Sequence, residues 1–254
     1  MTDLTDATFA ERLIGCLDLT ELSDDRPADK VDQLLDKART PFGPVAAVCV
    51  WPDHVKRAAM AVKGTPIQIA TVVNFPGGQE PWARTQHDIR LALANGATEI
   101  DMVVDYRRGV EDPHAVTFAV RQVKDAAGGL PVKAILETGM LADTDEMQLL
   151  AGAALTGGAD FVKTSTGKVE TGATMEAADA LLDAIAAAGR GGLKVSGGVR
   201  SFAEAKAYAD LAAKKMGDEW VSPRTFRIGA SSLLTDLIAV ARGEHGTAAS
   251  GSGY

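Results

Sequence analysis

Eight short apolar runs, each followed by a longer amphipathic stretch, constrain this chain more than any other feature. They are Ile14–Leu19, Val45–Trp51, Ile67–Val73, Glu99–Val104, Val132–Glu137, Asp160–Thr164, Leu193–Val195 and Phe226–Gly229. Such alternation reads as repeated βα units. Near-continuous apolar strands suit a parallel sheet covered by helices. Eight of them favour a closed barrel, so the expected fold is α/β, a single-domain (β/α)8 TIM barrel. No Gly-x-Gly-x-x-Gly follows the early runs, which disfavours an open dinucleotide-binding sheet. By pattern alone the first, seventh and eighth runs are the weakest.

The connecting stretches carry helix signals. Asp112-Pro113 supplies an N-cap and a first-turn proline, and Val116, Val120 and Val123 recur at helical spacing. Ser201 and Glu204 have the capping-box spacing, with Tyr208 and Leu211 on the helix that follows. The chain has 254 residues, 46% of them hydrophobic, so it can bury a large core without disulfides or a structural metal. No Pro/Gly/Ser-rich linker divides it, and one domain over 1–254 is expected. Residues 245–254 are small and polar, and predict a mobile tail.

A formal net charge of -8 gives no support for a nucleic acid or an anionic membrane as partner. Cys16 and Cys49 each sit in an apolar run without a Cys-x-x-Cys pair, and read as buried reduced thiols. His54, His87, His114 and His245 form no ligand spacing, so no metal and no cofactor are expected. The N-terminus lacks the basic and apolar regions of a signal peptide, and no apolar run approaches the ~20 residues that span a bilayer. A cytoplasmic location is the expectation.

The informative charges lie inside the strands. Lys133, Lys163 and Lys194 occupy three consecutive runs, and Asp101 the run before them. Alternate side chains on a strand share a face. With Ile100, Met102, Val162 and Thr164 toward the helices, the charged groups point into the barrel near its C-terminal mouth, where barrel active sites lie. One such lysine can snorkel out of a strand end. Three lysines and a carboxylate on four successive strands are harder to explain that way, because buried charges are expensive unless paired or used.

Clustered lysines have a chemical consequence. An ordinary lysine, pKa ~10.4, has only about 0.1% free amine near neutral pH. Burial and a neighbouring ammonium both disfavour its charged form. The freed amine attacks a carbonyl and forms an iminium, an electron sink for the adjacent carbon. One lysine acts as nucleophile, a second perturbs it, and a carboxylate organises water and moves protons.

The turns beyond these strands suit an anion. Lys163 leads into the hydroxyl-rich turn Thr164-Ser165-Thr166-Gly167-Lys168, where Lys168 is either a phosphate contact or a solvated turn residue. Lys194-Val-Ser-Gly-Gly-Val-Arg200 places Gly197 and Gly198 after a strand, so backbone N–H groups can approach an anion. Gly229-Ala-Ser-Ser-Leu-Leu234 opens a short helix with free N–H groups. The terminal Tyr254 is compatible with a tail folded over the site and equally with an exposed end.

These stretches, together with Leu17-Asp-Leu-Thr20, Ala47-Val-Cys-Val50, Thr71-Val-Val-Asn-Phe-Pro76, Glu99-Ile-Asp-Met-Val-Val104 and Lys133-Ala-Ile-Leu-Glu-Thr-Gly139, are ordered over nearly the whole chain. In them the chain resembles the deoxyribose-phosphate aldolases, a class I aldolase family. The resemblance implies reversible cleavage of 2-deoxy-D-ribose 5-phosphate to acetaldehyde and D-glyceraldehyde 3-phosphate. It implies Lys163 as the Schiff-base lysine, Lys194 as its pKa perturber and proton-transfer partner, and Asp101 as proton relay with water. Asp18, Lys133 and Thr164 match the substrate pocket. Gly197, Gly198, Ser231, Ser232 and Lys168 match the phosphate site, and Tyr254 matches a C-terminal tyrosine that assists proton transfer. Barrels of this family are often homodimers, although no local feature marks an interface.

Two other readings keep parts of the pattern. Another imine-forming sugar-phosphate lyase or a transaldolase keeps the lysine pair but takes a ketone donor. A non-catalytic phosphosugar-binding barrel needs neither the inner lysines nor the buried carboxylate.

Overall fold

The computed structural model of the chain describes residues 5–244; the expectations for His245, the tail 245–254 and Tyr254 lie outside them. All eight runs form strands: β1 (Leu17–Glu21), β2 (Ala47–Val50), β3 (Gln68–Val73), β4 (Glu99–Val103), β5 (Val132–Ile135), β6 (Phe161–Lys163), β7 (Gly192–Ser196) and β8 (Phe226–Ala230). Each pairs in parallel with the next, and β1 closes on β8 to complete the barrel. A short antiparallel ribbon, 39–40 against 43–44, lies outside it.

The helices are α1 (Asp6–Ile14), α2 (Ala28–Lys37), α3 (Val55–Ala61), α4 (Trp82–Asn95), α5 (Tyr106–Glu111), α6 (Pro113–Ala126), α7 (Thr144–Thr156), α8 (Met175–Ala188), α9 (Phe202–Met216) and α10 (Leu233–Ala241). Val116, Val120 and Val123 of α6 are buried as their spacing requires. The proline stands in the first turn of α6, but Asp112 makes no capping hydrogen bond with its side chain. It also ends α5, and its carboxylate lies 3.7 Å from Arg108 instead. The capping box of α9 forms in full: Ser201 accepts from the Glu204 N–H, and Glu204 accepts from the Ser201 N–H.

Strand boundaries shift at the first and the fifth of the expected runs, among others. Ile14 belongs to α1, where it is buried with Ala10 and Leu13, and the strand starts after the Gly15 cap. β5 stops at Ile135, and Glu137 takes a left-handed backbone, φ 52°, which no strand continues through. Among the described residues no helix is long and apolar enough to cross a membrane.

The strands' outward residues, Ile100, Met102, Val132, Val162, Leu193 and Ile228 among them, pack into one core with the helix shell. Each such side chain contributes about 1.5–3 kcal/mol by leaving water. A second, smaller cluster lies inside the barrel: Cys49, Ala70, Val72, Val103 and Ile135, capped by Leu22, Trp51 and Phe75. Both cysteines are free and buried, and burial pushes the Cys16 thiol up to about 12. His87 and His114 are exposed and His54 half-buried.

Candidate active site

The inward positions of β1 and β4–β8 carry seven charged groups: Asp18, Glu99, Asp101, Lys133, Lys163, Lys194 and Arg227. Parity explains the placement, since each alternates with apolar neighbours that face the helices. Registry brings them level. Asp101 pairs with Lys133, Lys163 with Lys194, and Lys194 with Arg227 across adjacent strands.

Asp101 is the hub. Its Oδ1 accepts from Lys133 Nζ at 2.8 Å, and its Oδ2 accepts from Lys163 at 2.9 Å and from Lys194 at 2.7 Å. Asp18 Oδ2 accepts from Lys194 at 2.6 Å, and Asp18 Oδ1 from Arg227 at 2.6 Å. Glu99 accepts from Lys133 at 2.6 Å and from Arg227 at 3.0 Å. Room for Lys194 comes from Gly229, where a Cβ would stand 3.0 Å from Lys194 Cε.

Two observations single out Lys163. It is the only one of the three inner lysines with any exposure, 3% against 0% for Lys133 and Lys194, and it lines the pocket at the C-terminal mouth. Burial pushes its ammonium below the ordinary lysine value and the charge of Lys194 adds to this, while Asp101 opposes both. Burial acts the same way on Lys194 and Lys133, but their carboxylates outweigh it and both values rise. Against the opposing effect of burial, Lys194, Arg227 and Lys133 hold Asp18, and Lys133, Lys163 and Lys194 hold Asp101, below the usual carboxylate range.

The pocket encloses about 350 Å³. Lys163 lines it together with Lys168, Gly197, Gly198, Ser231 and Ser232. Gly197 and Gly198 both have left-handed backbones, φ 88° and 91°, and at Gly197 a Cβ would stand 3.0 Å from Gly172 Cα. The turn therefore presents bare backbone to the pocket. Ser231 and Ser232 are exposed at the N-terminus of α10. Lys168 Nζ reaches across the mouth to Asp24 Oδ1 at 2.5 Å.

Of the residues expected from sequence, these five line the mouth with Lys163, whereas Asp18, Asp101, Lys133 and Lys194 are fully buried behind it and do not line the pocket; they reach Lys163 through Asp101. Thr164 stands apart. Its hydroxyl donates to the Ser196 carbonyl and accepts from the Ser196 N–H, so it braces β6 against β7 and does not line the pocket. Three further residues escaped the sequence reading. Glu99 and Arg227 follow the same inward parity as Asp101 and Lys194, and that parity was the available signal. Glu137 had none: its two oxygens accept from the Thr166 N–H at 3.0 Å and the Thr166 hydroxyl at 2.5 Å, a contact made only by folding.

The sequence profile described as DeoC/LacD family aldolase matches residues 12–238. The chain belongs to this family. It is therefore a class I aldolase. Solved relatives agree in fold along the aldolase's length. A provisionally named deoxyribose-phosphate aldolase from Toxoplasma gondii ME49 is 26% identical with a TM-score of 0.84, covering 94% of this chain and 96% of that one. A provisionally named counterpart from Coccidioides immitis is 29% identical with a TM-score of 0.76, over 89% and 85%. The deoxyribose phosphate aldolase of Aeropyrum pernix, described as a tetramer, is 28% identical with a TM-score of 0.74, over 91% and 92%.

Proposed function

We propose that this aldolase cleaves 2-deoxy-D-ribose 5-phosphate reversibly to acetaldehyde and D-glyceraldehyde 3-phosphate through an imine on Lys163. The observation that carries the reading is the placement of the Lys163 amine in the same pocket as the Gly197-Gly198 turn and the start of α10. A substrate with an aldehyde at one end and a phosphate at the other spans that arrangement.

The chemistry follows from the contacts. The open-chain aldehyde carbon accepts the free amine of Lys163, and the carbinolamine loses water to give an iminium. A base takes the proton of the C3 hydroxyl. The C2–C3 bonding pair then moves into the iminium, leaving an enamine and releasing glyceraldehyde 3-phosphate. Protonation at C2 and hydrolysis return acetaldehyde and the amine. Asp101 and Lys194, joined at 2.7 Å beside Lys163, relay these protons through water. Asp18 and Lys133 hold Lys194 and Asp101 in place. The backbone at Gly197, Gly198, Ser231 and Ser232 binds the phosphate with Lys168, which must leave Asp24 to do so. Tyr254, assigned by the resemblance alone, assists proton transfer at the methyl carbon; equal methyl-proton exchange with and without it would remove it from the scheme.

The experiment is borohydride reduction with acetaldehyde, followed by intact mass and peptide mapping. A single reduced adduct on Lys163 is the expected result. An adduct formed only with dihydroxyacetone or fructose 6-phosphate would replace the donor, and no adduct in folded protein would remove the imine.

A further inference from the structure

Four cations and three carboxylates share the barrel interior: Lys133, Lys163, Lys194 and Arg227 against Asp18, Glu99 and Asp101. None is more than 6% exposed. Uncompensated charge there is expensive, so the interior is most stable with equal numbers of positive and negative groups. One proton is then surplus, and the contacts decide where it is lost. Lys133 Nζ has Glu99 at 2.6 Å, Asp101 at 2.8 Å and Asp18 at 3.6 Å. Lys194 has Asp18 at 2.6 Å and Asp101 at 2.7 Å. Arg227 has Asp18 at 2.6 Å and Glu99 at 3.0 Å. Lys163 has one carboxylate oxygen, Asp101 Oδ2 at 2.9 Å, and shares it with Lys194.

Arg227 and Glu99 lie outside the substrate pocket. They line a depression of about 970 Å³ at the opposite, N-terminal mouth of the barrel. Their charges still enter the same balance, because Arg227 holds Asp18 and Glu99 holds Lys133, the groups that in turn hold Lys194 and Asp101.

We propose that Arg227 and Glu99 are positioning residues that set the charge balance of the barrel interior, so that Lys163 is the group that gives up the surplus proton. The proposal rests on the reading of Lys163 as the imine-forming lysine. The other titratable groups near Lys163 do not supply the balance. Burial keeps the Cys49 thiol of β2 neutral. Glu21 at the pocket mouth accepts from Ser23, Lys168 is paired with Asp24, and Arg200 is exposed. Glu137 spends both oxygens on Thr166, and β3 carries no titratable side chain.

The test is the rate of borohydride-trapped acetaldehyde adduct on Lys163, followed from about pH 5 to about pH 10. No wild-type adduct on Lys163 would end the reading of Lys163 itself, and the proposal with it. Given that adduct, Arg227→Met removes a cation, so Lys163 keeps its proton to higher pH. The acid limb moves up by about one unit, an about tenfold loss of free amine at a given pH. Glu99→Gln removes an anion and moves the limb down. The double variant returns it toward wild type, and Arg227→Lys leaves it in place. Opposite shifts support the proposal; shifts of one sign, or none, overturn it. Should Arg227→Met fail to fold, Glu99→Gln decides alone, a downward shift supporting the proposal and any other result overturning it.

Discussion

The inside of the barrel has two walls that bury side chains equally well and for different reasons. On β2 and β3, with Val103 of β4 and Ile135 of β5, the wall is Cys49, Ala70, Val72, Val103 and Ile135, closed above by Trp51 and Phe75 edge to face at 5.4 Å. From β4 round to β1 it is charged, with Lys133, Lys194, Asp18 and Asp101 all fully buried. Burial stabilises the first wall directly. It opposes the second, which survives because six of its seven charges have at least two opposite partners. The seventh, Lys163, is the one that faces the pocket. Apolar and charged groups therefore divide the interior of one barrel, and Lys163 is its least compensated charge.

That contrast is open to breaking by substitution. Lys163→Met should have the largest effect, an about 10⁴-fold or greater loss of aldol cleavage together with loss of the trapped adduct. Because burial holds the Lys163 ammonium below its ordinary value, the unfolded chain takes up more protons there than the folded one. Wild-type stability should thus rise with pH until the ordinary lysine value, about 10.4, is passed. Lys163→Met should lack this rise and melt higher than wild type at neutral pH. A lower melting temperature with an unchanged pH slope would show that Lys163 is a structural cation like its neighbours.

Asp101→Leu comes next, since it strips a carboxylate from three lysines. Turnover should fall about 10²–10⁴-fold, and urea unfolding should show a loss of about 3–5 kcal/mol. Unchanged cleavage would remove the relay role. A third prediction concerns acid. Asp18 and Asp101 are held below the usual carboxylate range, so their contribution is complete above the unfolded value near 4 and fades as pH falls below it. Thermal melts at pH 2–4 should show this as a steep loss, reduced in Asp101→Leu.

On the other wall, Ile135→Val should cost about 0.5–1.5 kcal/mol in urea unfolding. Its pH–rate profile should overlay the wild type, although Ile135 is the registry partner of Lys163. A moved profile would mean that the two walls are not separable. The smallest effect belongs to the mouth. Asp24→Asn frees Lys168 from a partner that is 87% exposed, and exposed pairs are worth about 1 kcal/mol or less. KM for the phosphorylated substrate should fall a few-fold at most, with no change for 2-deoxyribose itself. A rise in KM would make Asp24 part of the phosphate site instead of its competitor.

Much of this was legible before folding. Eight apolar runs announced eight strands, and Asp101, Lys163 and Lys194 stood out because a charge in an apolar strand is conspicuous. Thr164, matched to the substrate pocket by the resemblance alone, has the opposite parity to Lys163 and bonds to Ser196 of β7. Glu99 and Arg227 obeyed the rule that revealed Asp101, yet they acquire meaning only through each other, 128 residues apart in sequence.

The sequence by itself determined the βα repeat, the inward parity of the charges and the glycine turns, because these depend on period, parity and local backbone freedom. Only the closed barrel decided which amine meets which oxygen. Closure staggers the strands, and that stagger sets Lys163 beside one shared carboxylate oxygen at the pocket while Lys133, Lys194 and Arg227 each take two or more carboxylates deeper in.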